Sequence, residues 1–139
     1  RPVIYRNGIH IWIKPSDDTN ANLMIILSFI ILGHPDWKQG NISIFAISKS
    51  EETGQVRQRM NDLIETGRLP VTAQNIKILI QNENVSYKSI IEEHSQQAGL
   101  TILGFREESI KQREDQLFEG YDNMGNMLFV NSFDNKGLD

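Results

Sequence analysis

The sequence predicts one small α/β domain, a doubly wound and mainly parallel sheet of about five strands with helices on both faces. Three observations predict it. Short apolar segments rich in isoleucine alternate with segments of helical length, giving the order β-α-β-α-β-α-β with a weaker αβ unit at the end. Parallel neighbours need a crossover, and the intervening helices supply right-handed ones. With 139 residues, 39% of them apolar and 23% charged, the composition is globular and suits one core spanning residues 1–139. Pro15, Gly33, Pro35, Gly67, Pro70 and Gly99 fall between the periodic segments, where turns belong.

Ile9-His10-Ile11-Trp12-Ile13 reads as a first strand, closed by Pro15. A polar loop follows, and Asn22 is placed to cap a helix over Leu23 to Leu32, with Gly33 at its C′ position and Pro35 preventing its return. That helix is apolar on every side, so it needs cover from its own sheet and from a second surface. The second surface is either more of the same core or a partner subunit, and periodicity alone also admits a buried strand over this run.

Asn41 to Ser48 alternates as a second strand with Ile42, Ile44 and Ala46 on one face. Ser48 and Glu51 have capping-box spacing, and the helix from Ser50 to Thr66 carries Val56, Met60, Leu63 and Ile64 on one stripe before Gly67 ends it. Asn75 to Ile80 is a third strand. Ser86 and Ser89 fit the N-cap and N3 positions of a third helix closed by Gly99. Leu100 to Phe105 gives a fourth strand, Glu114 to Glu119 a short helix and Met127 to Val130 a last strand, before a polar tail over Asn135 to Asp139.

The residues carry little catalytic chemistry. Basic residues number 14 against 18 acidic ones and form no stripe, so nucleic acid is not an expected partner. Cysteine is absent, which removes disulfides and thiolate metal sites. No Gly-rich phosphate loop follows any strand, no G-x-S-x-G elbow is present, and His10, His34 and His94 share no metal-ligand spacing. Asp17 and Asp18 after the first strand could hold a magnesium ion, but adjacent acidic residues in a loop read first as turn formers. No catalytic residue, metal or cofactor is expected.

The most apolar run is ten residues, roughly 15 Å as a helix and about half of a ~30 Å hydrocarbon core, so no membrane insertion is expected. The chain opens on Arg1-Pro2 without an initiator methionine or a signal-peptide pattern, and reads as a segment of a longer protein. Trp37, after His34-Pro35-Asp36, reads as a lid on the core edge or as a contact for a partner.

Four features in order carry a family resemblance: the strand Ile9-His10-Ile11-Trp12, the apolar helix around Leu23 to Leu32, Trp37, and Ile42-Ser43-Ile44-Phe45. Over Ile9 to Phe45 the chain resembles the cytosolic C-terminal domain of cation-chloride cotransporters of the sodium-potassium-chloride type. Gly40 and Ser43 stand where animal members have Cys and Arg, so the likeness is to the bacterial branch. The resemblance implies a domain on the cytoplasmic side of the membrane that dimerises and controls transport. Its partners would be the membrane-transport domain of the same polypeptide and a second copy, with Leu23, Met24, Ile26, Ile30 and Trp37 as the candidate interface. The alternating strands and helices also fit a nucleotide-binding domain of the universal-stress-protein kind.

Overall fold

The segment Ile9-His10-Ile11-Trp12-Ile13 has one polar position in five, so as a strand it demands cover on both faces. The structure, a computed structural model, describes residues 3–17, 20–105, 121 and 123–131, and in it this strand receives that cover at the middle of a sheet. Five parallel strands, β1 (Ile9–Ile13), β2 (Ile42–Ser48), β3 (Ile76–Ile80), β4 (Leu100–Gly104) and β5 (Met127–Val130), lie in the order β3-β2-β1-β4-β5. The chain winds outward from β1 to β3, then crosses back to place β4 on the other side of β1. The sheet is therefore doubly wound, with its switch point between β1 and β4.

Helices α1 (Ala21–Leu32) and α2 (Thr53–Gly67) cover one face, and α3 (Tyr87–Ser95) the other. Alternation along the strands divides the core accordingly. Ile9, Ile11, Ile13, Ile42, Ile44 and Ala46 meet Met24 and Ile25 of α1 and Met60 of α2. Trp12, Phe45, Ile47 and Leu103 meet Ile90 and Ile91 of α3, with the Trp12 and Phe45 rings stacked at 4.4 Å between centroids. The expected inward face of β2 is the observed one.

Several boundaries and caps differ from expectation, each for a local reason. Ser48 remains in β2, paired in register with Ile80, and its hydroxyl donates to the Lys49 carbonyl, so the capping box with Glu51 does not form. A 3-10 turn at Ser50–Glu52 intervenes, and α2 starts at Thr53. Gly67 stays helical, and Arg68 takes the left-handed conformation (φ 51°) that ends α2. Helix α1 begins at Ala21, with Asn20 rather than Asn22 at its N-cap and without a side-chain capping bond. Gly33 has right-handed φ and ψ, and the stop comes from Pro35, first residue of a 3-10 turn. Helix α3 keeps its expected cap, with the Ser89 amide donating to the Ser86 hydroxyl at 3.2 Å, but it ends at Ser95, before Gly99. The helix expected over Glu114 to Glu119, the tail from Asn135 and Asp18 lie outside the described residues.

One glycine is required at the base of the sheet. Gly8 has φ 80°, a side chain there would collide with the Asn41 carbonyl, and its own carbonyl accepts the amides of Gly99 and Leu100 at 2.9 and 3.2 Å. Among the described residues no helix is long and apolar enough to cross a membrane.

Ile11 is fully buried on the central strand. Ile11→Ala is expected to cost about 2–5 kcal/mol, read from urea denaturation midpoints at unchanged slope. A loss under about 1 kcal/mol would show that the face between β1 and the helices is not close-packed.

Candidate functional site

Ligands of open parallel sheets usually lie beyond the strand C-termini at the switch point. Here that place is filled by the chain itself. After β1 the backbone turns through a 3-10 turn at Pro15–Asp17, and Asp17 points back, its Oδ2 accepting the Lys14 amide at 2.8 Å. Asp17 is 1% exposed and Asn20 is 2% exposed. Asn20 Nδ2 donates to the Phe105 carbonyl at 3.2 Å, tying the start of α1 to the exit of β4. The Asp17 carboxylate packs over Gly104, in the space where any side chain would stand, and its Oδ1 has no hydrogen-bond partner among the described residues. Asp17 thus acts as the turn former the sequence suggests, and a carboxylate in this position disfavours phosphate.

A cleft of about 270 Å³ opens beside this turn, between α1 and α2. Ile13, Ala21, Met60 and Leu63 form its apolar wall, with Asn22, Arg59, Asp62 and Thr66 around them. Arg59 donates to the Pro15 carbonyl at 3.2 Å and Asp62 accepts from Gln58 at 2.8 Å. These contacts join α2 to the β1 turn and to itself.

The candidate interface residues separate into two groups. Met24 is fully buried against the sheet, and Trp37 is 8% exposed, with its ring edge-on to Tyr5 at 4.9 Å and against Gly99. Both belong to the chain's own core, which corrects their placement on a shared surface, and Trp37 is the lid. Leu23 is half-buried, whereas Ile26 and Ile30 are 46% and 67% exposed on the outward face of α1. Leu27, overlooked in the sequence, flanks them half-buried, so Leu23, Ile26, Leu27 and Ile30 make one stripe at i, i+3, i+4 and i+7.

Helix α1 is apolar on its outward face as well as on its inward one. Its hydroxyl residue, Ser28, faces the core and donates to the Ile25 carbonyl at 2.6 Å, while two isoleucines face out. No charged residue occurs from Ala21 to Leu32. Helix α2 has the ordinary arrangement, with Met60 inward and charged residues outward.

A polar network that sequence reading missed holds α3 to β1. The buried Ser95 hydroxyl accepts the Trp12 indole N–H at 2.8 Å and lies 2.8 Å from His10 Nδ1, to which it can donate when the imidazole is neutral. Burial, then the positive charge of Lys77, then His94 hold the His10 pKa down at about 4. His94 is exposed beside the Trp12 and Phe45 rings, and His34 sits in a loop with its Nδ1 3.5 Å from an Asp36 carboxylate oxygen. No group of three or more His, Cys, Asp or Glu among the described residues is arranged to hold a metal ion.

Comparison of the chain with protein-family models and with curated proteins finds no match.

Two tests address this geometry. Gly104→Ala would drive a methyl group into the Asp17 carboxylate and is expected to lower stability by about 1–3 kcal/mol. Adding Asp17→Ala should recover part of that loss, and strictly additive losses would show that the two groups do not meet. His10 binds its proton less readily when folded than the ordinary value of 6.5, so the unfolded chain takes up more protons between pH 6.5 and 4. The contribution of His10 to stability is therefore expected to be fully present above pH 6.5 and to be lost as pH drops towards 4. In His10→Gln the decline over that window should be shallower, as read from denaturation midpoints.

Proposed function

We propose that this domain is the cytosolic C-terminal regulatory and assembly module of a bacterial cation-chloride cotransporter, joined to a membrane-transport domain and paired with a second copy. The observation that carries this reading is the apolar outward face of α1, where Ile26 and Ile30 point out although Met24 and Ile25 already cover the sheet. Exposed isoleucines on an uncharged helix lose hydrophobic stabilisation unless another surface covers them. The resemblance over Ile9 to Phe45 supplies the type of parent protein.

A module of this kind performs no transport. It biases the carrier by making contacts that differ between the carrier's conformations, since equal contact with both would shift nothing. A two-fold pairing would bring the same stripe from both copies together. Two partly exposed isoleucines fall short of the ~800 Å² per partner of a standard interface, so the contact would extend to neighbouring surface. A nucleotide-binding reading draws on the same strand order, and the carboxylate at the switch point weighs against it.

Sedimentation of the isolated domain across a concentration series tests the pairing. The wild type is expected to move from monomer to dimer, and Ile26→Glu/Ile30→Glu to stay monomeric while its thermal midpoint changes little, because both positions face outward. A monomer at every concentration would refute pairing through α1. Titration with ATP and ADP in a calorimeter is expected to give no heat, and saturable heat would favour the nucleotide reading. The upstream coding sequence should encode about twelve hydrophobic spans of ~20 residues each.

A further inference from the structure

We draw no further inference here: the strongest candidate, the buried Asp17 carboxylate packed on Gly104 at the C-terminal ends of β1 and β4, is a single acidic group beside the Asn20 side-chain amide, and nothing else in the structure points to a ligand there.

Discussion

The fold depends on covering β1 from both sides. Ile9, Ile11 and Ile13 are buried towards α1, and Trp12 is buried towards α3, so neither face of the central strand tolerates water. At about 25 cal/mol per Å² of apolar surface, removing either layer of helices would forfeit about 1.5–3 kcal/mol at each large side chain it exposes, against a net stability of roughly 5–15 kcal/mol. The helices cannot leave the sheet without unfolding it. The parallel arrangement suits this, because the three connections from β1 to β4 each carry a covering helix across the sheet before the next strand pairs.

That constraint explains the inner face of α1 and leaves its outer face unexplained. Covering β1 and β4 uses Ala21, Met24, Ile25 and Ser28, which lie within one angular sector of the helix. A helix serving that purpose alone could carry Lys or Glu at positions 26 and 30 without loss, as α2 carries polar residues on its outer side. Isoleucine at both positions is a departure from local economy, and such departures are where function is sought. At the switch point, Asp17 and Asn20 occupy the place where many sheets of this kind hold a ligand.

Much of this was legible in the sequence, and the remainder was hidden for identifiable physical reasons. Strand order along the chain and the inward face of β2 follow from local periodicity, and both appear in the structure. Caps depended on tertiary pairing: Ser48 has the spacing of a helix cap but is claimed by β3 through its register with Ile80. Arg68 takes over the left-handed turn that composition assigned to Gly67. Ser95 bonds Trp12 and His10 across 83 and 85 residues, a distance over which no pattern in one sequence speaks. The outward stripe of α1 was only half legible. Apolar residues at every angle conceal which side meets the sheet, so the sequence does not separate Met24 from Ile26 and Ile30, and Trp37, in the turn after the helix, reads equally as a lid or a contact; packing makes both distinctions.

The proposed pairing puts the outward face of α1 between two copies. Because the chain has no cysteine, Ile30→Cys would offer one attachment site for a nitroxide spin label. Electron paramagnetic resonance of that labelled domain should give broad lines with dipolar coupling between labels that grow as protein concentration rises, since each label would be held near its twin. Sharp lines of a freely rotating label at all concentrations, without coupling, would contradict the claim.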